Sequence, residues 1–146
     1  MRKVDEQVKY DVSFEKRKIV VKEKPQKYVI NLNQRLLVFA VDIIKFLSNI
    51  PTKREFDVIR NQLSKSATSI GANYEESQAA SYAEFKQRIQ ICLREARETH
   101  YWLKVIERLN LREEKSYLKE LDRLLNEANE VGLIFGAISA KVGKQD

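Results

Sequence analysis

The sequence predicts an all-α protein: an antiparallel, up-down-up-down four-helix bundle preceded by an extended N-terminal arm. Three observations carry that prediction. Apolar residues recur at three- and four-residue steps over four stretches between residues 33 and 142, the spacing of one helix face. Only a few residues separate one stretch from the next, and short connections force antiparallel neighbours. Gly (4) and Pro (2) are scarce in 146 residues, of which 43% are hydrophobic and 33% charged, the profile of a helix-rich chain of single-domain size.

Residues 1–30 stand apart. They hold nine Lys/Arg against five Asp/Glu, whereas residues 31–146 hold eighteen against sixteen. KIVVKEK, Pro25 and QKYVI alternate like a strand but are short and heavily charged. The segment therefore reads as a basic arm, extended or partly disordered, with room for a short strand and no share in the core. Residues 31–146 are expected to form the bundle.

Helix 1 is expected from about residue 33 to 49, with Leu36, Phe39, Ala40, Ile43, Ile44 and Leu47 inward. Pro51 stops it, because the residue before a proline is pushed out of the helical region. Helix 2 follows Thr52, read as an N-cap with Glu55 three residues on. Its seam is Phe56, Ile59, Leu63, Ala67, Ile70 and Tyr74, and it ends near Ala79, about 40 Å from its start at ~1.5 Å per residue. Ser81 and Glu84 make a second S-x-x-E box and open helix 3, which runs to about residue 109. Helix 4 is expected from residues 112–116 to about 142, with Leu118, Leu121, Leu125, Ala128, Val131, Phe135 and Ile138 inward.

Helix 3 has three faces. Phe85, Ile89, Cys92, Ala96, Thr99, Leu103 and Ile106 alternate four- and three-residue steps, a heptad seam in which Cys92 is a small buried hydrophobe. His100 flanks that seam. Lys86, Gln90, Arg94, Arg97, Tyr101, Lys104 and Arg108 form an outward line without an acidic residue. Five cations and a tyrosine in that array suit a phosphate backbone with one ring for stacking; a solvated face, with Arg94 paired to Glu98, competes with that reading. Ile91, Glu95, Glu98, Trp102 and Val105 make the third face. A Trp flanked by β-branched residues away from the core points to an interface between subunits.

Catalytic and metal chemistry find no support. A di-iron bundle needs Glu-x-x-His on two helices, yet the chain has one His, and Arg97 stands three residues before it. There is no nucleophile elbow and no Gly-rich phosphate loop. Cys92 and His100 are eight residues apart on one helix, unsuited to zinc. Adjacent Glu75 and Glu76 point about 100° apart, so they do not pair as acid and base. No catalytic residue, metal site or cofactor is expected. No run of about 18 apolar residues exists, so no membrane span is expected; the leader pattern is missing, and a lone Cys fits a reducing compartment. The expected location is the cytoplasm.

The stretch QLSKSATSIGANYEESQAASYAEFKQRIQICLREARETHYWL, Gln62 to Leu103, resembles the bacterial four-helix-bundle proteins encoded in intervening sequences of 23S ribosomal RNA genes. Gln62, Leu63, Ser66, Thr68, Ser69, Ile70, Ala72, Asn73 and Glu76 match that family's second-helix motif. Phe85, Ile91, Glu95, Ala96, Glu98, Thr99, Tyr101, Trp102 and Leu103 match its third. Lys65 replaces the usual Arg, which keeps charge but loses bidentate geometry, and Cys92 replaces the usual Ala. The resemblance covers about residues 32–142 and leaves the arm outside. It implies a small homo-oligomer, with a pentamer expected. The related accessory variability protein of diversity-generating retroelements is a basic pentamer that associates with a reverse transcriptase and nucleic acid.

The functional expectation is therefore a non-enzymatic homopentameric bundle whose basic surface contacts RNA or DNA, through Lys65, Lys86, Arg94, Arg97, Tyr101, Lys104 and Arg108, alongside a protein partner such as a reverse transcriptase. The alternative is a protein-interaction adaptor with no nucleic-acid role. Gly71, which costs about 1 kcal/mol inside a helix, is expected to let a facing helix approach closely, with Asn73 and Glu76 in a polar network nearby.

Overall fold

The computed structural model describes residues 9–144. An antiparallel hairpin, β1 (Tyr10–Glu15) and β2 (Lys18–Glu23), precedes four helices: α1 (Leu32–Phe46), α2 (Asp57–Ser77), α3 (Tyr82–Leu109) and α4 (Lys115–Gly143). α3 packs between α2 and α4, while α1 lies against α2 and α4. The bundle is the one expected.

The helix boundaries follow local chemistry. Asn31 caps α1, its side chain accepting from the Gln34 amide at 3.2 Å. Ser81 and Glu84 form the full capping box of α3. Asn110 ends α3 in the left-handed region (φ 49°, ψ 51°), which Asn tolerates better than most residues. Thr52 is not the cap of α2: a 3-10 turn, Arg54–Phe56, intervenes, and neither its start at Lys53 nor that of α2 at Phe56 has a side-chain cap. With 21 residues, α2 is nearer 32 Å long than 40 Å.

The seams of α2 and α3 are buried along their middles. Ile59, Leu63, Ala67, Ile70 and Tyr74 meet Ile89, Cys92, Ala96, Leu103 and Ile106 in one core. Thr99 is fully buried and its hydroxyl meets that of Ser66 at 2.9 Å. Two positions expected inward turn outward: Ile44 and Leu118 are each 48% exposed. Phe46 and Tyr117 take those places, stacked at 5.5 Å. The apolar arc of α1 is wider than the side its neighbours cover, so periodicity alone picked the wrong edge of it.

The arm read as lying outside the core is partly inside it. Tyr10, Val12 and Val21 are buried, with β1 against α4. The Tyr10 hydroxyl and the Lys9 ammonium both donate to Glu130 on α4, and Lys9 also lies 3.5 Å from Glu23. Lys16 (φ 47°) and Arg17 (φ 67°) make the two-residue turn. Both central residues of such a turn are left-handed, which is why Asn-Gly is the usual choice; a Lys-Arg pair there costs roughly 1 kcal/mol or more per residue. The part of the expected arm at residues 1–8 lies outside the described residues.

Candidate nucleic-acid interface and apolar groove

The outward line of α3 is where the sequence places it. Arg94, Arg97, Tyr101, Lys104 and Arg108 are exposed, Tyr101 at 55%. None of those four cations has an ion pair among the described residues; the expected Arg94–Glu98 pair does not form, and Glu98 accepts from the Trp102 indole N–H at 3.2 Å. Lys86 is half-buried, its ammonium 5.2 Å from the centre of the Tyr82 ring. Gln90 leaves the line by bonding Ser139 on α4. From Lys86 to Arg108 the line spans about 33 Å of helix.

Lys65 is placed elsewhere. It is exposed on α2, and its charge bears on Glu95 on the other flank of α3. There burial, then the neighbouring Glu98, holds the Glu95 carboxyl above its ordinary range, with Lys65 and Arg94 opposing. The face expected between subunits, Ile91, Glu95, Glu98, Trp102 and Val105, is half-buried within the protomer. Trp102 and Val105 pack against the core, and Tyr101 sets its ring edge-on to Trp102 at 5.3 Å.

Much of the second-helix motif ties α2 to α3. Arg88 donates to Asn73 Oδ1 at 2.8 Å and pairs with Glu76 at 2.6 Å, while Asn73 Nδ2 donates to Ser69 at 2.9 Å. Those are the residues expected in a polar network, with Arg88 as the missing member. Cys92 is fully buried, and desolvation pushes its thiol up to about 12. His100 is half-buried, with burial first and Lys104 second holding its pKa down.

Sequence reasoning missed an apolar groove between α1 and α2. Leu37, Val41 and Ile44 line one side, with Leu37 59% exposed, and Thr68, Gly71 and Ala72 line the other, enclosing about 650 Å³. The signal was present in LLVFAVDII, residues 36–44, which is apolar on more faces than one packed side needs. Gly71 borders this groove, and a Cβ added there would meet Leu36 Cβ at 3.5 Å, an ordinary contact. Approach of α1 therefore does not require the glycine.

The class these features define is a small antiparallel helical bundle that displays a cationic helix face and an apolar groove. Among the described residues there is no cluster of three or more His, Cys, Asp or Glu able to hold a metal, and no helix long and apolar enough to cross a membrane. The model of the 23S rRNA-intervening sequence protein family matches residues 30–135, and the chain belongs to that family. It is also similar to a protein of unknown function from the S23 ribosomal protein family of Bacteroides thetaiotaomicron. That crystal structure is 32% identical, with a TM-score of 0.61 over 74% of this chain and 97% of the other. No curated protein matches the chain. The hairpin precedes the matched segment.

Proposed function

We propose that the protein is a non-enzymatic, self-associating bundle that contacts RNA or DNA through the cationic face of α3. The observation that carries this reading is the line Arg94, Arg97, Lys104 and Arg108, exposed and without ion pairs among the described residues, with the Tyr101 ring between them. Structural ion pairs would hold such side chains down; these four are available to phosphates. Four phosphate contacts give log K a slope of roughly −3 to −4 against log salt, so affinity falls about 100-fold between 50 and 200 mM. The test is a salt titration on generic RNA and DNA with nuclease-treated protein. Arg94→Glu with Arg97→Glu should weaken binding and flatten the slope while leaving the helical circular dichroism intact. Unchanged binding in that double variant sinks the assignment.

Self-association finds its support in the α1–α2 groove more than in the Trp102 face, since Leu37, Val41 and Ile44 stay exposed among the described residues. A pentamer is the ring size the family resemblance suggests. Native mass spectrometry separates the two faces: Ile44→Asp dissociates an assembly built on the groove, and Trp102→Ala one built on α3. A monomeric wild type removes both.

The same groove favours a second reading, a protein-interaction adaptor. A partner such as a reverse transcriptase would then be recovered by the wild type and lost with Ile44→Asp, whereas charge reversal on α3 would have no effect.

A further inference from the structure

A second cavity opens where the hairpin tip meets the α2–α3 turn. It encloses about 620 Å³ and is lined by Phe14, Arg17, Ile19, Ser77, Tyr82 and Phe85 among others, a volume in the range of small-ligand sites. Three aromatic rings share it. Tyr82 stacks on Phe85 at 6.3 Å and 21°, and Phe14 meets Phe85 edge-on at 6.2 Å and 80°. Tyr82 is half exposed, with the Lys86 ammonium over its ring.

Cations rim it. Arg17 reaches the cavity from the left-handed turn of the hairpin, where a Gly would cost the backbone less. Lys86, the first residue of the α3 line, sits over the Tyr82 ring. The cavity is thus the end of that line, and its lining includes no Asp or Glu among the described residues. Flat π-surfaces beside positive charge are the recognition chemistry of an unpaired base on its phosphate backbone. Bases in a duplex are stacked and paired and cannot enter.

We propose that this cavity takes an unstacked base of single-stranded RNA or DNA, whose backbone continues along the cationic line of α3. The proposal rests on the nucleic-acid reading above and narrows it to single strands or single-stranded ends. The hairpin, which lies ahead of the family-matched segment, supplies one wall of the site.

The test is fluorescence anisotropy on the full chain with labelled 12-mers, RNA and DNA, each single-stranded and as its duplex. Two variants address the cavity without touching the core: Tyr82→Ala, on an exposed first-turn position, and Arg17→Asn, which keeps a residue tolerant of the left-handed turn. Wild type should prefer single strands about tenfold. Tyr82→Ala should lower single-strand affinity about tenfold, leaving duplex affinity and the salt slope as they were. Arg17→Asn should lower single-strand affinity and reduce the slope by about one. Equal affinity for single strands and duplexes, or single-strand binding indifferent to both variants, overturns the cavity assignment while leaving the α3 line standing. Absence of binding by the wild type to all four probes at low salt overturns the nucleic-acid reading itself, and this one with it. The RNA and DNA arms identify which strand the site takes.

Discussion

Gly71→Ala separates what the protomer needs from what the groove needs. Replacing a mid-helix glycine with alanine is worth about 1 kcal/mol in helix propensity. The added methyl would meet Leu36 Cβ at 3.5 Å and the Leu36 carbonyl carbon and oxygen at 3.9 Å, ordinary van der Waals distances. Nothing is displaced, so the folded protomer should gain close to the full 1 kcal/mol, a rise of about 4 °C in Tm for a chain this size. Self-association would blur that gain, because assembly links stability to protomer concentration. Urea unfolding is therefore best run in an Ile44→Asp background at one concentration, with Cm compared at constant m. A loss of stability greater than 1 kcal/mol would refute the reasoning and mean that α1 and α2 approach more closely than these distances. The native mass of Gly71→Ala alone, with Ile44 intact, completes the test: a stabilised protomer with reduced mass means that the glycine is kept for the groove's occupant. A stabilised protomer of unchanged mass removes the groove as the reason for the glycine.

Three further outcomes are expected. The Tyr117 hydroxyl is buried with no hydrogen-bond partner among the described residues, so Tyr117→Phe should stabilise the fold by about 1 kcal/mol in urea unfolding; destabilisation would reveal a partner for it. Glu130→Ala leaves the buried Tyr10 hydroxyl without its acceptor, and should loosen the hairpin by about 2 kcal/mol, read as faster amide exchange in β1 and β2 with α2 and α3 unaffected. Alkaline pH should destabilise the fold. Burial pushes Tyr74 up from 10.0 to about 12 and Cys92 from 9.0 to about 12, so the unfolded chain releases those protons first. Stability is full below pH 9 and declines towards pH 12, Tyr74 alone accounting for about 3 kcal/mol. A flat unfolding free energy from pH 8 to 11 would contradict this.

The bundle was legible because its helices announce their ends and seams locally. Ser81 with Glu84 marks the start of α3, and the four-three alternation from Ile89 to Ile106 describes the buried face residue by residue. Periodicity failed where an apolar arc exceeds one packed side. Ile44 reads as core because a sequence does not say which neighbour covers which edge of α1, and that surplus is the groove. Leu118 reads as inward for a related reason: what buries Tyr117 instead is its stacking on Phe46, a contact between residues 71 positions apart. The hairpin was hidden by its turn. Lys16 and Arg17 replace the Asn-Gly that would have signalled a two-residue connection, and Glu130, which holds Tyr10 in place, lies 120 residues away. The cationic line of α3 was legible from the spacing, but the position of Lys65 beside Glu95 depends on how α2 sits against α3.

That last-helix anchor also fixes an order of events during synthesis. The hairpin leaves the ribosome well ahead of the partner that holds it, since Lys9 and Glu130 are 121 residues apart. At about 5–20 residues per second it waits roughly 6–24 s for that residue to be made. An isolated two-stranded hairpin is marginal in water, so for this interval Tyr10, Val12 and Val21 have no core to enter. The lysines and arginines threaded through the same segment, Lys16, Arg17, Lys18, Lys22 and Lys24, act as gatekeepers against strand-to-strand aggregation while nascent chains are crowded together. The charge that made the segment look like an unstructured tail is what keeps it soluble until α4 arrives.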